Sequence, residues 1–531
     1  PTLYGAPAEN PHTAFEGGRT GCGPGRPGLP AFFVNMAILN LVIQDTMYRW
    51  SGLGPSVDLT LTYNSGGAAE RGAFGFGWSF AYEWRLVRSG SHITVCKGSG
   101  QREEFTLPNG VTSAAGSQEL LPAAGGANRL LDRGDHWEYR KKGSRLRYRF
   151  AQTPGAETAR LNRVVDSCGN ALAVEYDERG RMRSLVDAAG RTVSFRYGET
   201  GECTGFLLPD GREASFGYDA KGDLVRTVDL LGVVCEYSYD SDHSLTQMVV
   251  GRERRTTVFG YQGAAARKRV ASVTDARGNQ TRYQLMATDP VEVKATRPGG
   301  RGTLYTSRNG LTERITDPLG HYEETVFRGG LPVAYRNKNG EITEADWDEH
   351  GNVVEVRGAD GSVAHYQYDA ESNLVSAVGP QGENWAFTYN DQRGLTTITS
   401  PLQTVITYTY DPSGRLIALS HSSGGQTSLS YDRFGNVART TDPQGHVTSF
   451  VYDEWGLRLI SSTDALGRTT HFEYDENDRL VRVRHPDGTS QTHAYDCCAP
   501  ILSVDENGSS AGYERDPLLN ITRLIDRGGN H

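Results

Sequence analysis

The feature that most constrains this chain is a short phrase written again and again at an almost fixed interval. Tyr368-Asp369, Tyr389-Asn390, Tyr410-Asp411, Tyr431-Asp432, Tyr452-Asp453, Tyr474-Asp475 and Tyr495-Asp496 follow one another at 21, 21, 21, 21, 22 and 21 residues. Upstream, Tyr176-Asp177, Tyr197-Gly198, Tyr218-Asp219 and Tyr239-Asp240 keep the same 21-residue step. Such a period marks one small supersecondary unit stacked many times, each copy burying its face on the next. It points to a built surface rather than to a domain formed around one singular catalytic site.

One period reads as turn, strand, turn, strand. Asp442-Pro443-Gln444-Gly445 is a turn, because Asp bonds its own backbone, Pro presets φ and Gly accepts positive φ. His446 to Tyr452 is rich in β-branched and aromatic residues and has strand length. Asp453-Glu454-Trp455-Gly456 is a second turn, Leu457 to Ser461 the return strand, and Asp464-Ala465-Leu466-Gly467 opens the next unit. Four-residue turns cannot make parallel crossovers, so the pairing is antiparallel and each hairpin leads into the next. Alternate turns recur at Asp187, Asp210, Asp229, Asp275, Asp317 and Asp487. Between 260 and 350 the Tyr-Asp half decays, with Trp347-Asp348 replacing it once. Strands such as 470–474 alternate, with Thr470, Phe472 and Tyr474 on one face and His471 and Glu473 on the other. Polar residues on both faces suit a sheet whose two sides meet water or cargo.

The phrase Asp-x-x-Gly-Arg-Thr-x-x-Phe-x-Tyr-Asp-x-x-x-Arg-Leu at 464–480 resembles the RHS or YD repeat. Members include bacterial Rhs polymorphic toxins, insecticidal toxin-complex shell proteins and the animal teneurins. The stretches Asn40-Leu41-Val42, Leu59-Thr60-Leu61-Thr62-Tyr63-Asn64-Ser65 and Phe74-Gly75-Phe76-Gly77-Trp78-Ser79-Phe80 resemble the segment that precedes the repeats in bacterial Rhs proteins. The resemblance implies an all-β fold of tandem hairpins forming a spiralling antiparallel sheet, a hollow barrel or cocoon or an open tube. The repeat-defining residues are then Tyr176, Asp177, Tyr218, Asp219, Tyr239, Asp240, Tyr368, Asp369, Tyr410, Asp411, Tyr431, Asp432, Tyr452, Asp453, Tyr474, Asp475, Tyr495 and Asp496. Residues 1–50 form a Gly/Pro-rich segment, a linker or plug, that enters the first strands; 51–160 form a β cap, and 161–531 the repeat array.

The remaining sequence narrows the function by exclusion. Glycine is 64 of 531 residues, about 12% against a usual ~7%, and hydrophobic residues are 37%, which favours turns over a conventional core. A net charge of −9 argues against nucleic acid as a partner. Arg479, Arg482, Arg484 and His485 cluster locally and read as a solvated strand face. Seven cysteines, Cys22, Cys96, Cys168, Cys203, Cys235, Cys497 and Cys498, are odd in number and irregularly spaced, so buried inert thiols are the default. The longest apolar run, Ala31 to Ile43, is shorter than the ~20 residues of a spanning helix. Pro7 to Pro30 reads as turn and coil. No phosphate loop, zinc-protease or hydrolase motif occurs, Asp505-Glu506-Asn507-Gly508 and Asp240-Ser241-Asp242 lack the ligand spacing of a calcium loop, and no catalytic, cofactor or metal residue is assigned.

Two functions are compatible with this reading. One is a bacterial, secreted or cell-surface shell that encloses and delivers a C-terminal toxin in interbacterial competition. Its partners are the enclosed toxin or other protein cargo and secretion-system proteins. The other is an extracellular structural or adhesive protein that binds glycans, for instance on Trp385, Phe387 and Tyr389, or assembles with further copies of itself into a filament. The repeats continue through Tyr513 and Asp516 to His531 without the closing core segment of toxin-bearing members, which suits a piece of a longer polypeptide or a repeat-only member.

Overall fold

The computed structural model describes residues 12–19, 29–107, 118–120, 122, 128–151, 156–264, 268–496, 499–518 and 520–526. Cys22, Cys497, Cys498, Leu519, the 527–531 end of the repeats and most of the Gly/Pro-rich segment lie outside these residues. All described regular structure is β apart from one 3-10 turn at Ser65–Gly67. No described helix is long and apolar enough to cross a membrane.

The N-terminal part is a five-stranded antiparallel sheet in chain order: Phe15–Arg19, Ala31–Asn35, Leu41–Trp50, Val57–Asn64 and Trp78–Phe80. Leu59, Leu61 and Tyr63 on one face and Thr60, Thr62 and Asn64 on the other are all buried, so the sheet is covered on both sides. Its first strand corrects the coil reading of Pro7 to Pro30. Gly17 pairs with Phe33, and a Cβ on Gly17 would sit 2.8 Å from the Phe32 carbonyl and 2.9 Å from the Phe33 ring. The glycine serves close approach within a sheet, not a turn.

Among the described residues the second sheet has 42 strands, from Arg85–Ser89 to Ile521–Ile525, paired antiparallel with sequential neighbours. Thr158–Arg160 folds back onto Arg85–Val87, and Phe105 bridges Pro122, so the strands from 85 to 165 close on one another. From there the sheet unrolls as one continuous ribbon of hairpins. The register shifts before the aromatic residue of each phrase, as at Glu175/Tyr176, Gly217/Tyr218, Gln367/Tyr368 and Ser430/Tyr431. These bulges sharpen the twist of every hairpin in the same sense.

Regular hairpins persist through 260–350, where the Tyr-Asp phrase fades. The single 22-residue step is absorbed in a turn. The Asp453 N–H reaches the Arg458 carbonyl at 2.9 Å, where neighbouring turns bond four residues on, so the return strand is Leu459–Thr463 rather than 457–461.

Contacts between turns show that the ribbon is wound. Lys142 Nζ donates to the His350 carbonyl, 208 residues away, and Asn170 Nδ2 to the Ser413 carbonyl, 243 residues away. Arg191 reaches the carbonyls of Trp455 and Gly456, 264 and 265 residues away. Further along, Arg212 pairs with Asp478, Arg255 lies 3.6 Å from Asp496, and Arg277 pairs with Asp516. Separations of 208 to 266 residues correspond to about ten to thirteen 21-residue units per coil. The rim of alternate turns on the first coil therefore sits on the Tyr-Asp rim of the second.

Composition suggested too little apolar material for a conventional core, yet one exists, confined to one region. Its buried residues run from Leu29 to Tyr305, and among the described residues only Phe434, Val483 and Ala499 join the buried hydrophobic set beyond that. The N-terminal sheet supplies the apolar surface that the first coil covers.

Candidate functional site: the repeat unit and the inner face of the wall

Each residue of the repeat phrase has a mechanical task. Asp177 closes its turn by accepting from the backbone N–H groups of Arg179 and Arg181 at 3.0 and 2.8 Å through Oδ1. It holds Arg181 Nε at 2.7 Å through Oδ2. Asp411 and Asp475 do the same with Arg415 and Arg479. The Arg181 N–H foremost, with the guanidinium and a second N–H, holds the Asp177 carboxyl below its ordinary value. For Asp411, partial burial raises the pKa but the Arg415 N–H and guanidinium outweigh it, and the net shift is downward. Asn390 substitutes for Asp because the backbone bonds use a single carbonyl-type oxygen, here from Gln392 and Gly394 N–H.

The tyrosine ties hairpin to hairpin. The hydroxyls of Tyr176, Tyr218, Tyr239, Tyr389, Tyr410, Tyr431 and Tyr495 each donate to a backbone carbonyl 15 residues earlier, at 2.6–2.9 Å. The acceptor is the first or second residue of a strand in the preceding unit, or a residue within it for Leu161. Trp347, which replaces tyrosine once, makes the same bond with Nε1 to the Pro332 carbonyl at 2.8 Å. The Arg of the phrase lies over the next unit's ring, at 4.6 Å for Arg181 on Tyr197 and 4.9 Å for Arg415 on Tyr431.

In most turns a glycine takes the left-handed position. Two of the non-glycine residues at that position are engaged outside their own turn. His243, at φ 61°, stacks on Phe76 at 3.7 Å and bonds Asp223 at 2.8 Å. Asp478, at φ 63°, accepts from Tyr48 at 2.7 Å and pairs with Arg212 and Arg458. At these two positions backbone strain is placed where the wall meets the N-terminal sheet or the other coil.

Two residues before the tyrosine, the pleat directs a side chain to the same face in every unit. In the first coil these are Val174, Phe195, Phe216, Tyr237 and Phe259, all buried. Phe195, Phe216, Tyr237 and Phe259 pack against Phe80, Phe74, Trp78 and Phe32 of the N-terminal part. That face therefore looks towards the N-terminal sheet. In the second coil the same positions are Tyr366, Phe387, Tyr408, Leu429, Phe450, Phe472, His493 and Tyr513, and all are half-buried. Cross-strand partners Ala377, Ile398, Leu419 and Val483 extend this apolar lining. Trp385 is 41% exposed, while Phe387 and Tyr389 on its face are half-buried.

The other sequence candidates resolve into packing. Arg479 pairs with Asp475, and Arg482 and Arg484 pair with Glu473 across the strand. Cys96, Cys203 and Cys235 are buried thiols, and Cys168 lies half-buried at the contact between coils, 3.4 Å from Gln392 Oε1. Among the described residues no three His, Cys, Asp or Glu side chains are placed to hold a metal. Sequence reasoning did not single out Asp45. It sits between the N-terminal sheet and the wall, 1% exposed, accepting from Tyr237 OH at 2.9 Å and Thr227 Oγ1 at 3.3 Å. Burial pushes its pKa up to about 6 against those two bonds.

These features define a tandem hairpin-repeat protein wound as a coil around an N-terminal cap sheet. The RHS Repeat model matches residues 347–384, 389–427, 431–458 and 452–490, and a domain of unknown function, DUF6531, matches 33–105. Residues 347–490 are thus RHS/YD repeats. No curated protein matches it. Among solved structures it is similar to TcdB2-TccC3 without its hypervariable C-terminal region, at 12% identity over 92% of this chain and 32% of that one, with a TM-score of 0.43. The TcdB2-TccC3-TEV structure is 12% identical over 90% of this chain and 31% of that one, with a TM-score of 0.42. The Tc holotoxin pore of Photorhabdus luminescens is 13% identical over 97% and 34%, with a TM-score of 0.36. This chain thus spans about a third of the length of each.

Proposed function

We propose that this chain is the non-catalytic wall of an RHS-repeat container that encloses a C-terminal toxin and delivers it from a bacterial surface in interbacterial competition. The observation that carries the reading is the inner face of the second coil. Its positions are the ones the first coil buries against the N-terminal sheet, and they keep aromatic and aliphatic side chains while only half-buried. An apolar lining with no covering partner among the described residues suits an enclosed polypeptide. The repeat residues contribute by stiffening the wall: the Asp carboxylate closes each turn, and the Tyr hydroxyl and the Arg guanidinium join one hairpin to the next.

The test is the intact mass of the natively produced protein, with peptide mapping of both ends and of protease-resistant material. The container reading expects a polypeptide extending past His531, or a tightly held fragment, that resists protease until the wall is unfolded. A native end close to His531 with nothing held inside removes it. The wall would then act as an extracellular structural or adhesive surface.

A further inference from the structure

A cavity of about 310 Å3 opens where the hairpin at 71–76, the strands at 85–102 and the repeat turn at Gly180 meet. That volume is typical of sites for small molecules, which run from ~300 Å3 upward. Its wall is electrically lopsided. Arg71, Arg85, Lys97, Arg102, Arg160 and Arg181 line it, against Glu70 and Glu83. Arg102 is paired with Glu70, Arg181 with Asp177 at 2.7 Å, and Lys97 lies 3.5 Å from Glu103. Arg71, Arg85 and Arg160 make no ion pair among the described residues.

Several of these cations are held in place by rings. Arg71 lies 5.9 Å from the Phe76 centroid, Arg160 5.7 Å from Tyr176 and Arg181 4.6 Å from Tyr197. Tyr176 and Tyr197 are themselves fixed by hydrogen bonds to the Leu161 and Met182 carbonyls. A guanidinium seated on a ring keeps its N–H edge for an anion and loses little freedom on binding. Glu83 also lines the cavity. Burial pushes its carboxyl up to about 7, opposed by the Phe80 N–H and by Arg85, so near neutrality it cancels only part of the positive charge. The fold does not require the three unpaired arginines. All are exposed, and the Gly180 turn is closed by Asp177 and Arg181.

We propose that this cavity is a binding site for a small polyanion bearing phosphate or carboxylate groups, gripped by Arg71, Arg85 and Arg160. Planar guanidinium forks accept either group through paired N–H bonds, and several arginines favour a ligand with more than one charged group. The residues that line the cavity run from Asn64 to Tyr197 and none belongs to the second coil, so its test is separate from that of the container reading.

Titration calorimetry of the full chain with pyrophosphate and, separately, with citrate tests this and distinguishes phosphate from carboxylate preference. Saturable binding of at least one is expected. Arg85→Gln or Arg160→Gln should weaken it roughly ten- to a hundredfold, and the double variant should abolish it, with melting temperatures unchanged. Wild-type affinity should rise as pH falls through about 7, relative to Glu83→Gln measured at the same pH values. Glu83→Gln should bind more tightly than wild type at pH 8, an effect that a merely structural Glu83 would not produce. No saturable binding of either anion at millimolar concentration, or equal affinity in the double variant, would overturn the proposal.

Discussion

The first and second coils are written in the same repeat grammar but are stabilised differently. In the first, Asp187 and Arg191 form a pair 2.7 Å apart with both side chains 2% exposed, and Trp50 Nε1 of the N-terminal sheet donates to the same carboxylate at 3.0 Å. In the second, the equivalent alternate-turn pair, Asp464–Arg468, also at 2.7 Å, is 37% and 61% exposed. Phe195 and Phe206 of the first coil are sealed against Phe80, whereas Phe387 and Phe450 of the second are half-buried. Local hydrogen bonds and ring contacts therefore suffice to shape a hairpin. Only the apolar cap turns a stack of hairpins into a packed body.

Substitutions at matched positions sharpen this contrast, and the largest effect is expected at the buried ion pair. Asp187→Ala leaves Arg191 buried without its carboxylate and should cost about 3–5 kcal/mol in urea unfolding. Asp464→Ala, at the matching turn of the second coil and open to water, should cost clearly less. Equal costs would break the distinction between the coils. Phe259→Ala should likewise lose about 3–5 kcal/mol through cavity formation, and Phe450→Ala, at the matching position, clearly less, because its surroundings are already partly hydrated.

The interface between cap and first coil should also respond to pH. Asp45 has a folded pKa raised from 3.8 to about 6, mainly by burial. Its protonation favours the folded state, so its contribution is fully present below about 4 and is lost as pH rises through about 6. Relative to Asp45→Asn, the wild type should gain on the order of 3 kcal/mol between pH 7 and pH 4. A constant difference across that range would remove Asp45 as the titrating group. The smallest effect concerns the tyrosine ties. Tyr431→Phe removes one bond to the Leu416 carbonyl and should cost about 1 kcal/mol. Tyr239→Phe should cost more, since its hydroxyl also accepts from the buried Trp78 Nε1 at 2.8 Å.

Much of the wall was legible in the sequence because its information is local. The turn aspartates, the left-handed glycines and the two-residue alternation each act within one 21-residue unit. The Tyr-to-carbonyl bond spans only 15 residues, but no composition or spacing argument identifies its acceptor. The winding was not legible from residue patterns, since Arg191 meets Trp455 and Gly456 across 264 and 265 residues. The 22-residue step from Tyr452 to Tyr474 signalled one extra residue, but nothing local placed it in the turn ahead of Leu459–Thr463. Asp45 and the arginine-lined cavity were invisible for the same reason as the winding, because each is assembled from separate elements only by the coiling. Non-glycine residues at the left-handed position, such as Asp478 and His243, were the one sequence signal that could have marked those junctions.

The central claim is that the first coil sits on the second, and a disulfide across that contact tests it directly. A Cβ on Gly414 would lie 3.3 Å from the Cys168 Cβ, close to disulfide geometry, which places the Cβ atoms ~3.5–4.5 Å apart. Gly414→Cys should, on mild oxidation, yield a 168–414 crosslink identified by peptide mass, and Cys168→Ala should abolish it. A folded variant that leaves both thiols free would contradict the coil-on-coil arrangement.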